Sequence, residues 1–502
     1  MNTNLPTTSA SPQETLPGRR QEENSLGLSK RRSRWLRLFD ACILIFLCAA
    51  LFAGTRPALF KNNTDAAKYQ CYAMAFWHTL SITEREPWKT QCGFITRPIT
   101  ADYLDVIPPG QDTPTLLEKA ERYGLPASFV NTIEQWQSPN TRFHALPNEY
   151  PMLVLVPFSL SLIVPSHWYQ VAFAGWMALF AIIIYYLLVR YRSRGSALAF
   201  VIYLLAGCYA TALGRFDLVP ALLTLLAIIY ADRSRWNWAY VYLALATLCK
   251  FYPVILLIPF LLQQQRELQG SWRIRQRWLP LGIFVALCSA VMLLSLALSI
   301  EGTLKPFTYF IGRPTQVESL QATIVWFTSR HITHTPLSYR YSYGSFNIFG
   351  TPEKLVSTLS TALLLLGLAY IYWLQWRNKI DLAVSSVLTL LIIISTGKVF
   401  SPQYLIWVAP LIAYIGRASW KWLVPWTALS LLTTFIYPYL YGKALLHDLP
   451  NVSIFFPSIM VRDVALLGII LGILLAATLG YLKPRHSRVE ASKQTPLSTP
   501  AL

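Results

Sequence analysis

The stretch LIIISTGKVFSPQYLIWVAPLIAY (residues 391–414) is an apolar run broken at its middle by Gly397, Lys398, Ser401, Pro402 and Gln403. A bilayer core takes about 20 consecutive apolar residues as one helix. An ammonium group and a helix breaker inside such a run divide it into two shorter helices. Backbone freed by a break is tolerated at membrane depth only where it is buried in protein or lines a cavity. The stretch therefore predicts two helices meeting at a polar break near the outer surface, with Lys398 facing a cavity.

The rest of the chain agrees with a membrane setting. Of its 502 residues, 54% are hydrophobic and 13% are charged, where soluble domains carry about 25% charged residues. Runs such as ALAFVIYLLAGCYATAL (197–213) are continuous and do not alternate, which points to helices and not to a barrel. The fold class is an all-α polytopic membrane protein. A net charge of +19 does not indicate a nucleic-acid partner, because Lys and Arg punctuate the gaps between apolar runs, as the positive-inside rule requires. Arg190/Arg192/Arg194, Arg233/Arg235, Arg266 to Arg277, Arg377/Lys379, Arg417/Lys421 and Lys483/Arg485/Arg488 are read as cytoplasmic. The turns between them (214–217, 249–253, about 300–350, 397–403 and about 441–459) then fall outside. The count is about twelve crossings, with eleven and thirteen as the alternatives, and both termini are cytoplasmic.

Residues 1–35 are polar and rich in Pro and Ser, and residues 483–502 are similar. Both read as disordered cytoplasmic tails, leaving 36–482 as the membrane domain. Two extracytoplasmic segments, 56–149 and 300–350, are too long to be connectors. YPMLVLVPFSLSLIV (150–164) is read as a short or re-entrant helix, since the crossing parity leaves no room for a full span. Of seven cysteines, five lie in or beside apolar runs. Cys71 and Cys92 share the first polar loop, where they either pair, if the compartment is oxidising, or stay free. No His/Cys or acidic spacing suggests a metal site, so neither metal nor cofactor is expected.

Ionisable residues at membrane depth are costly and mark functional sites by default. Here they collect on one side. Arg215 and Asp217 flank Phe216, Lys250 precedes Tyr252 and Pro253, and Lys398 sits in the break. The outer loops add Asp65, Glu149, Arg313, Glu318, His331 and His334. Each has a plainer explanation: Arg215 and Asp217 pair with each other, the lysines snorkel, and the histidines are solvated. Lysine is not drawn to the outer side by orientation, however. Lys250, Lys398, Arg215 and Arg313 together make a cationic patch at the lipid–water boundary, which suits a phosphate with a hydrophobic tail. A nearby carboxylate, Asp65 first, is available to take a proton from an acceptor. These features describe an enzyme or a carrier for a lipid phosphate.

GKVFSPQYLIWVAPL (397–411) resembles the SKVLSPQYLLWLLPL pattern of polyprenyl-phosphate-sugar-dependent glycosyltransferases of the GT-C fold, and within these glycosyltransferase family 87, the alpha-mannosyltransferases. DAAKY (65–69) is similar to the family's DLxVY. NEYPML (148–153) is similar to xYPPL, with Met152 in place of the second Pro. GRFDLVPALLTLLA (214–227) and CKFYPVILLIPFLL (249–262) resemble RxDxxPALLxLLA and KxYPxLLLP, and GRPTQVESL (312–320) with YGSFNIFG (343–350) resembles RGLQxESL and GSxxxxG.

The resemblance implies about twelve transmembrane helices with large extracytoplasmic loops. It also implies transfer of a hexose, usually mannose, from a polyprenyl-phosphate-sugar donor to a hydroxyl of a glycolipid or glycan acceptor at the outer face of the bilayer. An Asp general base and inversion at the anomeric centre come with it, and the matching position is Asp65. Lys250, Lys398, Arg313 and Arg215 are expected near the donor phosphate, and Glu318 and Gln316 are expected to orient donor or sugar. Asp217, Tyr252, Gln403 and Tyr404 are expected to line the cavity, with Glu149, His331 and His334 on the substrate side. DAAKY lacks the family's hydrophobic residues between Asp and Tyr, so Asp102 and Asp105 stand as alternative bases. The first loop is long for the family, which leaves the acceptor open. A transporter or flippase for a lipid-linked sugar is the alternative function, and it would carry repeated halves and charges near mid-membrane.

Overall fold

A computed structural model describes residues 18–97, 116–268, 273–445 and 448–482, with side chains from Arg34 onward. The chain forms two compact units, 1–49 and 50–502. The first holds most of helix Gly18–Thr55, of which Arg34–Thr55 is long and apolar enough to cross a membrane. This helix starts inside the segment read from composition as disordered. Its sequence from Arg19 is rich in Arg, Glu and Leu, all good helix formers, whereas the helix-breaking prolines of the N-terminal segment end at Pro17. The C-terminal tail, and Asp102 and Asp105, lie outside the described residues.

Among the described residues of the second unit, five further helices are long and apolar enough to span: Ser166–Tyr191, Arg275–Leu298, Glu353–Trp376, Trp420–Gly442 and Phe455–Thr478. Met152–Ile163, Arg194–Cys208, Leu218–Ala231, Leu382–Thr396 and Tyr404–Gly416 are shorter apolar helices. Met152–Ile163 is the short element expected over 150–164. It is a chain of brief turns around Pro157.

The short helices form the core and several long ones the periphery. In Leu382–Thr396 every residue but Ile393 is buried, as expected for a helix apolar all round. Arg275–Leu298 buries little and presents Val285, Leu293 and Leu294 outward. At 1.5 Å per residue, the 15 residues of Leu382–Thr396 reach about 22 Å, short of the roughly 30 Å hydrocarbon thickness. The break at 397–403 therefore ends a helix too short to cross the hydrocarbon layer by itself.

That break is built as the sequence predicts. A Cβ on Gly397 would stand 2.8 Å from the Ile393 carbonyl, so the exit from the helix needs glycine. Gln321 closes the helix end by donating to the Thr396 carbonyl at 2.8 Å. The second outer segment contains one element not expected from the sequence, an antiparallel hairpin of Ser338–Ser342 and Ser345–Phe349. Its two-residue turn, Tyr343–Gly344, has positive φ at both positions (52° and 65°), the geometry that matches strand twist and favours glycine. Phe346 and Ile348 seat the hairpin in a satellite core with Val317, Val325, Phe455 and Ile459.

Helix Asp65–Trp77 dominates the first outer segment, and Cys71 within it is disulfide-bonded to Cys92. The bridge closes a loop of 21 residues, which in the chain-entropy account constrains the unfolded state by about 3 kcal/mol. The variant Cys71→Ala/Cys92→Ala is expected to lower the thermal midpoint by several degrees. The measurement is thermal unfolding of the purified protein in detergent, with reductant as a control that reproduces the shift.

Candidate active site

Asp65 opens helix Asp65–Trp77. Thr64 caps it, its hydroxyl accepting from the Ala67 N–H at 3.1 Å and donating to Gln170 at 2.8 Å. The carboxylate thus sits at the positive end of the helix dipole. Its Oδ2 lies 2.5 Å from Arg215 Nη2, and the two side chains are 24% and 22% exposed. Burial works to raise the Asp65 pKa, but Arg215, then Lys68 and Lys250, outweigh it and hold the group below the usual carboxylate range.

Arg215 and Asp217 do not pair with each other, as the plainer sequence interpretation had it. Phe216 between them is fully buried in an aromatic socket, edge-on to Tyr69, Tyr150 and Phe158 at 5.1–5.5 Å. With Phe216 anchored, its neighbours project to different partners. Asp217, 1% exposed, lies 2.5 Å from Lys250 Nζ and also accepts from Trp407 Nε1. Asp217 Oδ2 is buried without a partner among the described residues. Lys250 Nζ stands 4.9 Å from the ring centroids of both Phe216 and Trp407, within cation–π range. Trp407 is itself clasped between Tyr252 (4.2 Å) and Tyr404 (4.0 Å). Tyr404 lies within electrostatic reach of Arg313, Asp217 and Arg215, which joins the two ion pairs to the next loop.

That loop, 313–319, is pinned on two sides. The Gln316 N–H donates to the Lys398 carbonyl at 2.9 Å, joining it to the membrane break. Val317 N–H donates to Phe346 O and Ile348 N–H to Thr315 O, joining it to the hairpin. Arg313 Nε and Gln316 Oε1 are buried without partners among the described residues. Lys398 is exposed and forms no ion pair among them.

Glu149 and Lys68 complete the cluster, Lys68 being held above its ordinary range because Glu149 and Asp65 outweigh the effect of burial. Lys68 also lies beside the hairpin turn, 3.6 Å from where a Cβ on Gly344 would be. Four cations (Lys68, Arg215, Lys250, Arg313) thus share one region with three carboxylates (Asp65, Glu149, Asp217), and two of the cations are neutralised directly, while Lys398 is joined to the 313–319 loop through its backbone carbonyl. Among the described residues no group of His, Cys, Asp or Glu is placed to hold a metal ion.

Other expected site residues stand apart. Glu318 is 2% exposed, with Oε1 accepting from Tyr441 OH at 2.7 Å and Oε2 lying 3.4 Å from Arg462 Nη1. Both its oxygens are committed to holding the loop. Gln403 accepts from Ser401 within the break. His331 and His334 are exposed around the turn Ser329–Thr333, with His331 resting on Trp326 and Phe327. Lys68, Trp407 and Tyr150 were not singled out from the sequence. Lys68 carried a usable signal, since three residues after Asp65 on a helix is the same face.

The model of glycosyltransferase family 87 matches residues 149–402. That span carries Glu149, Arg215, Asp217, Lys250, Tyr252, Arg313, Gln316 and Lys398, while Asp65 precedes it and Trp407 follows it. No curated protein matches the chain. The matched region is about half the chain and holds Arg215, Asp217 and Lys250 of the two ion pairs, so the chain belongs to glycosyltransferase family 87 and is an all-α polytopic membrane glycosyltransferase.

Proposed function

We propose that this glycosyltransferase moves a hexose, mannose, from a polyprenyl-phosphate-sugar donor to a hydroxyl of a glycolipid or glycan acceptor at the extracytoplasmic face, with inversion at the anomeric carbon. The observation that carries this reading is a carboxylate, Asp65, kept ionised at a helix N-terminus in a region where cations outnumber acids. The Cys71–Cys92 bridge supports an oxidising, extracytoplasmic setting for the Asp65 helix. The exposed apolar flank of the long helices suits a donor whose chain stays in lipid.

In the proposed step the acceptor oxygen bonds to the anomeric carbon as that carbon's bond to the phosphate oxygen breaks. The acceptor proton passes to an Asp65 oxygen, and the bonding pair leaves with the polyprenyl phosphate. A carboxylate this acidic is a weak base in the ground state. The hydroxyl proton becomes acidic only as its oxygen bonds to carbon, so proton transfer belongs late in the step. The leaving phosphate is stable as an anion, so fixed positive charge serves it better than a general acid. Arg215 and Lys250 are already paired and Lys68 faces Glu149 and Asp65, which leaves Arg313 and Lys398 as the direct phosphate ligands and gives the other cations a supporting field. Gln316 Oε1, buried and unpartnered, is suited to orient a sugar hydroxyl, a role that Glu318 cannot share.

Lys398→Ala and Arg313→Ala are expected to raise the donor KM by about 10- to 100-fold each, the range for one hydrogen bond to a charged group. Steady-state transfer at varied polyprenyl-phosphate-sugar concentration is the test. An unchanged donor KM in both variants would remove these two residues from the phosphate site.

A further inference from the structure

Helix Ala127–Trp136 is not accounted for by the active site. Phe129 is 55% exposed and Trp136 63%, and Leu125, just before the helix, is 41% exposed. At 100° per residue Phe129 and Trp136 fall within about 20° of one another, one apolar stripe along the helix. Thr132 lies in the same stripe, and its hydroxyl is satisfied by the Ser128 carbonyl at 2.8 Å, so it presents its methyl outward without needing water. Val130 is buried against the protein, and Asn131 and Gln135 are exposed on the polar flank. A soluble loop gains nothing by leaving Phe and Trp in water along one line.

The height of this helix is fixed by its next residue. Gln137 Nε2 donates to the carbonyls of Leu296 (2.9 Å) and Ala297 (3.2 Å), and its Oε1 accepts from the Ile300 N–H (2.7 Å). A ring nitrogen of His144 lies 2.5 Å from the Leu298 carbonyl. These are the orphan carbonyls at the end of the span Arg275–Leu298. From Trp278 to Leu298 that span rises about 30 Å, the hydrocarbon thickness of a bilayer. Gln137 and His144 therefore tie the helix to the level where hydrocarbon gives way to headgroups. Trp at that level is the residue of interfacial belts.

We infer that helix Ala127–Trp136 lies in the plane of the membrane interface, with Phe129, Thr132 and Trp136 sunk among lipid headgroups and upper acyl chains. The partner is the bilayer that holds the spans, and the chain segment leaving this helix runs directly to Glu149 and Tyr150 at the candidate site. The inference does not depend on the identity of the donor or the base.

The test uses the full chain in phosphatidylcholine nanodiscs with a nitroxide on Phe129→Cys, Trp136→Cys, Asn131→Cys or Gln135→Cys. The signal of the unsubstituted chain, labelled in parallel, is subtracted. All four positions are exposed, so the substitutions leave the packing intact. Collision rates with oxygen are expected to exceed those with a water-soluble nickel chelate several-fold at 129 and 136, and the reverse is expected at 131 and 135. Equal access of the nickel chelate at all four sites would overturn the inference. So would shielding of 129 and 136 from both reagents, which would indicate a protein partner on the stripe.

Discussion

Asp65→Asn is expected to lower the turnover of sugar transfer by about 10²- to 10⁴-fold, the usual contribution of a positioned general base, while the donor KM changes little. Asn keeps the shape of the side chain but can neither accept the acceptor proton nor neutralise Arg215, 2.5 Å away. The split between turnover and KM separates loss of the base from loss of donor binding. Asp102→Asn and Asp105→Asn are expected to remain active; inactivity of either, with Asp65→Asn active, would move the base. The pH dependence follows from the lowered Asp65 pKa. A carboxylate more acidic in the folded than in the unfolded state stabilises the fold above its unfolded pKa of about 4. That contribution is lost as pH falls through the lower folded value. The thermal midpoints of wild type and Asp65→Asn are therefore expected to differ at pH 6 and to converge as the pH drops below about 4.

The second large effect is structural. Arg462→Ala is expected to destabilise the protein by about 3–5 kcal/mol, the cost of leaving buried charge uncompensated. Arg462 is fully buried in helix Phe455–Thr478, 2.9 Å from Asp463 and 3.4 Å from Glu318, and it also donates to the Glu318 carbonyl. Its guanidinium lies 3.9 Å from the centroid of Phe400, in the membrane break. Thr323 donates to Asp463 at 2.9 Å. One side chain thus ties the last helix to both the 313–319 loop and the 397–403 break. Removing it strands two carboxylates in the core. Arg462→Lys is expected to recover only part of the loss, because an ammonium cannot reproduce the planar fork. Neutralising the whole cluster (Arg462→Met with Glu318→Gln and Asp463→Asn) is expected to restore most of the stability, since replacing every member removes the stranded charge. Detergent-solubilised thermal unfolding of the three variants checks this ordering. A triple variant less stable than Arg462→Ala would contradict it.

Much of the architecture is legible in the sequence because it rests on local signals. Gly397 and Pro402 inside an apolar run announce the break, and the break is there. Cationic residues beside Pro-bearing turns mark candidate site positions; Lys250 is drawn into an ion pair with Asp217, and Lys398 stays exposed. Partner choice is not local. Arg215 chooses Asp65, which lies 150 positions earlier, over Asp217 two residues away, because burial of Phe216 fixes which way each neighbour projects. The Arg462–Asp463 pair interrupts an apolar helix and so carried a signal of its own, but its link to Glu318, 144 positions earlier, depends on how helices pack. The hairpin turn at Tyr343–Gly344 was visible as a Gly-containing segment, yet its strands are short and their burial comes from distant helices.

The central claim is covalent transfer from a lipid-phosphate sugar with Asp65 as base. Purified protein in detergent should be incubated with labelled polyprenyl-phosphate-mannose and a panel of glycolipid acceptors, and the product's linkage read by NMR. The expected result is a mannosylated acceptor whose anomeric configuration is opposite to the donor's, formed by wild type and not by Asp65→Asn. Retention of configuration, transfer at the wild-type rate by Asp65→Asn, or turnover of a nucleotide-sugar donor in place of the lipid phosphate would contradict it.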